Sequence, residues 1–373
     1  LSSNPHPVII AARRTPIATR GRALGELTIT DLAAPVIRAT IADAEATLGA
    51  PADIADVILG NCMGPGGNPG RAAALAAGLG QLVPGGTVDR QCGSGLAAIL
   101  DAAVASRYDR RMRVAGGVES ASTAPARSID GIPYAKAPFT PHGLPDPDMT
   151  RAAEELAAHD GITRARQDAH AARSHARARA AQAEGRLTAE LVPLAGLLHD
   201  DAIGGAEKLL PRLTPLFPGG TLTAGTATRI SDGAASVVVA PPGTASGLAV
   251  RASAVIGCDP ALPGIGAAAA IRAALAAADA DLADIAAFEI VEAFAAQSLA
   301  VLGRLGLTDN DPRVCSDGGA LALGHPWGAS GAVAVVRLFS RLVRRDAPPG
   351  TLGVAAASVG GGLGIAAVLE VVR

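Results

Sequence analysis

Val88-Asp89-Arg90-Gln91-Cys92-Gly93-Ser94-Gly95-Leu96-Ala97-Ala98-Ile99 is the stretch on which the reading of this chain turns. The β-prone Gly86-Thr87-Val88 leads into it and the helix-forming Leu96-Ala97-Ala98-Ile99-Leu100 follows, so Cys92 falls on a sharp strand-to-helix turn. Small neighbours let a substrate approach closely, and the amides and dipole of a first helical turn favour a thiolate or an oxyanion. A cysteine among glycines is, taken alone, more often a buried structural residue. Its company elsewhere in the chain has to decide.

The 373 residues are enough for a large core and two or three domains, and 49% hydrophobic content with a formal charge of −2 describes a globular chain. Arg110-Arg111-Met112-Arg113 and Arg341-Leu342-Val343-Arg344-Arg345 read as solvated helix ends, so no nucleic-acid partner is expected. Cys62, Cys92, Cys258 and Cys315 form neither a CxxC metal pair nor a disulfide framework, which implies no metal and a reduced, cytoplasmic setting. The opening Leu-Ser-Ser-Asn-Pro shows no basic segment followed by an apolar core, so no signal peptide is expected in it. The longest uncharged run, Gly318 to Val336, contains five glycines with His325 and Pro326. That composition suits a buried loop and helix, so no membrane partner is expected either.

Outward from the cysteine turn, strand and helix alternate. Val8-Ile9-Ile10 reads as a strand, Thr30-Asp31 as the start of a helix over Leu32 to Leu48, and Asp53 to Gly60 as a second strand. A glycine and proline loop, Gly64 to Gly70, leads to a short helix over Arg71 to Leu79; Arg113 to Ser120 is the strand after the Cys92 helix. This alternation predicts an α/β fold with a mainly parallel sheet. Ala121 to about Asp148 reads as an insertion, Thr150 to Glu184 as strongly helical, Leu187 to Gly225 as loop, and Ala234 to Ala240 as a central strand. The last third repeats the first. Ala52-Asp53-Ile54-Ala55 returns as Ala283-Asp284-Ile285-Ala286, and about forty residues after each copy stands a glycine-bracketed residue, Cys92 and then His325. A duplication of this kind places the two turns face to face across a pseudo-twofold axis.

The second turn reads Gly318-Gly319-Ala320-Leu321-Ala322-Leu323-Gly324-His325-Pro326-Trp327-Gly328-Ala329-Ser330-Gly331-Ala332. A histidine held there can serve as a base or donate to a developing oxyanion. With Gly116-Gly117-Val118-Glu119-Ser120, Thr223-Ala224-Gly225, Ser231-Asp232-Gly233-Ala234-Ala235, Glu292-Ala293-Phe294-Ala295-Ala296-Gln297 and Gly360-Gly361-Gly362-Leu363-Gly364, all in order, the chain resembles the thiolase family along essentially its whole length.

The resemblance implies a thiolase-like fold, two duplicated α/β halves in a five-layer arrangement with an inserted loop domain. The boundaries it suggests are residues 1–120, with return strands near 232–245, then 121–231 for the loop domain and 246–373 for the second half. It implies a homodimer or homotetramer, an acyl-CoA substrate and no tightly bound cofactor. It further implies ping-pong acyl transfer through acyl-Cys92, His325 taking the thiol proton and the amides of Cys92 and Gly360 forming an oxyanion hole. Ser358 and Val291 stand where the family usually has a cysteine base and an oxyanion-hole asparagine. Losing one such donor typically costs about 2.7–4 kcal/mol, so the usual Claisen condensation or thiolysis is expected to be slowed while Cys92 acylation survives. Thr228 and Arg229 lie in a segment that usually borders pantetheine, Met149 in one that lines the acyl pocket, and Phe294 beside Val291. The alternatives are a pantetheine carried by an acyl carrier protein, a non-condensing acyltransferase or thioesterase, and a non-catalytic thiolase-fold binding protein.

Overall fold

The apolar runs of the chain become strands wherever β-branched residues cluster and helices wherever alanine and leucine recur at helical spacing. In the computed structural model, which describes residues 4–134 and 136–373, Leu1-Ser2-Ser3 of the opening segment lie outside the described residues. The first half runs β1 (Val8–Arg14), β2 (Ala18–Thr19), α1 (Ile29–Leu48), β3 (Ile54–Gly60), α2 (Pro69–Ala76), β4 (Gly86–Val88), α3 (Ser94–Asp109) and β5 (Met112–Glu119). The middle of the chain supplies a hairpin, β6 (Arg127–Ile129) and β7 (Ile132–Tyr134), then α4 (Met149–His159), α5 (Arg164–Ala183) and the returning β8 (Ser231–Ala240). The last third runs β9 (Gly247–Gly257), α6 (Gly266–Ala277), β10 (Ile285–Ile290), α7 (Ala295–Leu305), α8 (Ala320–Leu323), α9 (Trp327–Leu342), β11 (Leu352–Val359) and β12 (Leu363–Val372).

The main sheet has the order β10-β11-β12-β9-β1-β8-β5-β3-β4. Read from its middle outward, β1-β8-β5-β3 matches β9-β12-β11-β10, and the two series meet where β1 pairs antiparallel with β9 at Val8↔Ala249 and Ile9↔Leu248. The sheet is mixed and not mainly parallel, contrary to the strand-helix alternation. Only β3–β4, β3–β5 and β10–β11 are parallel among its named pairs. The physical reason is visible at β11–β12, which the left-handed Gly361 (φ 83°) and Gly362 (φ 79°) join so tightly that no crossover helix fits.

Two helix boundaries also differ from expectation. The first helix starts earlier, at a Thr28–Asp31 capping box, because the Thr28 hydroxyl rather than Thr30 meets the free amide of Asp31. The helical stretch after Thr150 is two helices, broken at Gly161 (φ 63°) and restarted by the Thr163 cap.

Helices α1 and α2 cover the outer face of the first half, and α6 covers that of the second. Between the halves lie α3 and α9, so the layers run helix, sheet, helix, sheet, helix. Every residue of α9 from Gly328 to Ser340 is buried, as befits a helix with no solvent face. What lets α3, α9 and β5 come this close is glycine. A Cβ on Gly95 would stand 2.8 Å from the Gly328 carbonyl oxygen and 3.0 Å from the Ala332 Cβ. One on Gly60 would meet the same carbonyl at 2.7 Å, and one on Gly117 would collide with it. Gly117→Ala should therefore cost about 1–3 kcal/mol or more, from overpacking against fixed backbone. Gly303→Ala, on an exposed and open helical position, should instead be neutral or stabilising by about 0.5–1 kcal/mol. Urea-unfolding midpoints of the two variants will order them.

Candidate active site

Cys92 sits where the sequence places it, in a short 3-10 turn, Gln91–Gly93, between β4 and α3. The turn is shaped locally. Gln91 adopts φ 41°, a left-handed backbone that costs a non-glycine residue about 1–3 kcal/mol. Ser94 offsets part of that cost, its Oγ accepting the Arg90 N–H at 2.7 Å and donating to the Gln91 carbonyl at 2.6 Å. The Cys62 thiol donates to the same carbonyl at 3.0 Å.

Two backbone N–H groups are directed at the Cys92 sulfur, its own and that of Gly360. One belongs to each half of the molecule. The thiol nevertheless stays protonated at neutral pH: burial pushes it up to about 12, the charges of Glu119 and Asp89 add to this, and the two amides only partly oppose it. Of the first-turn amides anticipated from the sequence, that of Cys92 itself bears on the sulfur; the other comes from the turn after β11, and desolvation outweighs both.

His325 immediately precedes Pro326, which caps α9, and its N–H donates to the Arg229 carbonyl at 2.9 Å. Its Nδ1 lies 2.6 Å from Ser330 Oγ. Because the Ser330 hydroxyl donates to the Pro326 carbonyl at 3.0 Å, it accepts the Nδ1 proton, which leaves Nε2 with its lone pair. That nitrogen is buried and has no hydrogen-bond partner among the described residues. Burial lowers the imidazole to about 4, so the Cys92 thiol and the His325 imidazole are both uncharged at neutral pH.

Glu119, at the end of β5, binds the two halves at this point. Its carboxylate accepts the N–H groups of Cys62 at 3.1 Å, Met63 at 3.0 Å and Gly328 at 2.9 Å, with the Asn61 amide at 3.0 Å. Burial raises its carboxyl and these donors restrain the rise.

The other predicted residues divide. Met149 opens α4, and its Sδ lies 3.2 Å from where a Cβ on Gly360 would stand, beside the amide that points at Cys92. Val291 is buried and borders a cavity of about 30 Å³ with Ile17, Glu289, Ser330 and Arg337. Phe294, half-buried, precedes α7. Thr228 gives its hydroxyl to the Ala320 carbonyl at 2.6 Å and its N–H to the Ala293 carbonyl at 3.0 Å, and the Arg229 guanidinium donates to the Ala202 carbonyl at 3.1 Å. Both fasten the turns around His325. Ser358 donates to the Gly264 carbonyl at 2.7 Å and accepts the Ala267 N–H at 3.1 Å, so its hydroxyl is engaged with the start of α6. Sequence reasoning missed Ser330. It stands about one helical turn after His325, a spacing that could have marked it. Among the described residues no cluster of three or more His, Cys, Asp or Glu side chains could hold a metal, and no helix is long and apolar enough to cross a membrane.

Cys92 and His325 stand at equivalent helix starts, and one backbone N–H from each half is directed at the sulfur. The chain matches the thiolase N-terminal domain over residues 7–242 and the thiolase C-terminal domain over 246–371. The chain belongs to the thiolase family. It is 40% identical over 376 residues to a Bacillus subtilis protein, YhfS, provisionally named an acetyl-CoA C-acetyltransferase, with 98% of this chain and 99% of that one covered. It is 39% identical over 392 residues to the 3-ketoacyl-CoA thiolase of Aeromonas hydrophila, covering 97% of this chain and 98% of that one. The crystal structure of the Bacillus anthracis acetyl-CoA acetyltransferase superposes with a TM-score of 0.89 at 34% identity over 100% of both chains. This thiolase-family chain has the thiolase fold and is an acyltransferase.

The electrostatics give a pH test. Burial holds His325 at about 4 against 6.5 for a free imidazole, so the unfolded chain binds more protons in that interval. Stability contributed by this site is complete above the free value and declines as pH falls through 6.5 toward 4. If His325 takes up the thiol proton, as proposed below, single-turnover loading of Cys92 should be level from about pH 6 to 9, its acidic limb lying near the lowered imidazole value. A limb centred at the free-imidazole value would contradict a buried His325.

Proposed function

We propose that the chain transfers acyl groups between coenzyme A thioesters through an acyl-Cys92 intermediate, as one half of a thiolysis or Claisen condensation. The observation that carries this reading is the convergence of the Cys92 and Gly360 amides on the Cys92 sulfur. As the sulfur attacks a thioester carbonyl, its proton passes to His325 Nε2 and the carbonyl oxygen takes up charge facing those two amides. Collapse then breaks the old carbon–sulfur bond; the departing thiolate recovers the proton from His325, and the acyl group stays on Cys92. Ser330 keeps the imidazole in the tautomer this sequence requires.

The relatives' names point to carbon–carbon chemistry in the second half-reaction and lend no support to the hydrolytic, non-condensing or purely binding alternatives. They also favour free coenzyme A over a carrier protein as the acyl donor. Ser358 and Val291 supply no acidic or amide proton at the acceptor, and Ser358 acts in our reading by anchoring the start of α6. A homo-oligomer is supported by the open edge at β4 with Leu75 and Leu82 exposed nearby; a cytoplasmic setting by four free cysteines.

Incubation with acetyl-CoA should give a covalent acetyl adduct by intact mass, lost in Cys92→Ala and slowed by about 10²-fold or more in His325→Ala. No adduct with any acyl-CoA would overturn the reading. The acceptor side is tested separately. Ser358→Cys combined with Val291→Asn should raise condensation of two acetyl-CoA molecules by at least about tenfold, part of one oxyanion donor's worth. Unchanged or lower activity would mean that this acceptor site works by other groups.

A further inference from the structure

The names of the relatives leave open how long an acyl group the site accepts, and the loop between β7 and α4 bears on it. A Cβ on Gly360 would stand 2.6 Å from Phe139 Cε2 and 2.9 Å from its Cδ2; one on Gly361 would stand 3.2 Å from the Phe139 Cβ. The Phe139 ring therefore lies in contact with the peptide whose N–H is directed at Cys92, beside the Met149 thioether. An acyl group on Cys92 has its carbonyl carbon bonded to that sulfur and its oxygen at the two amides, so its alkyl chain leaves from a point already walled by this ring.

The ring is held in place. Lys136 Nζ stands 4.2 Å from its centroid, on a cation–π contact, and is paired with Asp146 Oδ1 at 2.6 Å. Asp146 Oδ2 accepts the Phe139 N–H at 3.1 Å, and Asp148, two residues on, caps α4 by accepting the Thr150 N–H at 2.8 Å. The loop is thus clasped on itself and fastened to the helix that carries Met149. A longer chain entering the site has to displace a ring whose backbone and whose cation partner are tied to one carboxylate.

We propose that Phe139, held by Lys136 and Asp146, sets the length of the acyl group loaded onto Cys92 and confines it to acetyl and other short chains. This rests on the acyl-Cys92 reading above. The test compares initial rates of adduct formation from acetyl-CoA and octanoyl-CoA by intact mass. The wild type should favour acetyl-CoA strongly. Phe139→Ala should raise the octanoyl-to-acetyl rate ratio by at least about tenfold, the scale on which apolar pockets discriminate chain length. Phe139→Leu, which keeps an apolar side chain in the loop should the smaller residue disturb folding, should raise it less. Lys136→Met, which frees the ring without removing it, should shift the ratio the same way. A wild type that loads octanoyl as readily as acetyl, or a ratio unmoved in both Phe139 variants, overturns the assignment while leaving acyl-Cys92 intact. No adduct from either donor in the wild type overturns both.

Discussion

The structure depends on one close approach, that of the Gly328 carbonyl to Gly60, Gly95 and Gly117. There the first turn of α9 meets the first turn of α3 and the end of β5, and any side chain at these glycines would force the layers apart. Glycine alone permits the contact, and Glu119 fixes it. A single carboxylate collects amides from the loop after β3 and from the start of α9, so the residues just after Pro326 are referenced to the half that carries Cys92. Close packing and hydrogen bonding set the same distance from two directions.

That constraint also determines the chemistry. Desolvation at the two helix starts raises the half-buried Cys92 thiol and lowers the buried His325 imidazole, so neither group is charged at neutral pH. In the reaction proposed, the proton moves during attack, and the amides from the two halves then face a charge that exists only in the transition state. The far end of α9 is fixed as firmly. Arg337 pairs with Glu190 and, at 2.7 Å, with Asp317, while Arg14 of β1 holds Glu190 at 2.7 Å and Asp200 at 2.6 Å, all essentially without exposure. Removing one member of such a buried set strands its partners, at a typical cost of about 3–5 kcal/mol. The segment around Glu190 thereby ties the first strand to the helix that follows His325, and His325 is positioned by elements from three parts of the chain.

Much of this was legible in the sequence because backbone requirements leave marks. Glycines at 60, 95, 117 and 328 are where backbone meets backbone, and Cys92 and His325 stand out because glycine surrounds both. The repeat of Ala-Asp-Ile-Ala announced the duplicated order of strands. Strand direction was not legible: alternation of elements predicts parallel pairing, whereas the tight Gly360–Gly362 turn imposes an antiparallel pair that composition alone does not reveal. The thiol's protonation was hidden for a related reason, since the depth of burial belongs to the packed layers and not to the turn. Phe139 was hidden because its neighbour, Gly360, is more than two hundred residues away and the loop between β7 and α4 has no periodicity to read.

Ser358 shows the same lesson at a position that the sequence did single out. A residue type in a motif suggests a role, but hydrogen bonds decide whether the side chain is free to perform it. The Ser358 hydroxyl has one proton, and it goes to the Gly264 carbonyl; its lone pairs face the Ala267 N–H and, at 3.5 Å, the Gln297 amide. Gln297 in turn accepts the Ala293 N–H at 3.2 Å. The chain of contacts joins β11, the start of α6 and the turn after Val291 into one rigid piece. A hydroxyl with a very high intrinsic pKa, already committed to two backbone groups, is suited to holding that piece together and poorly suited to taking a proton from carbon. On the Cys92 side, by contrast, His325 Nε2 is buried and has no hydrogen-bond partner among the described residues. In the reaction proposed, the unpaired nitrogen therefore serves the loading of Cys92, while the paired hydroxyl holds the acceptor side still.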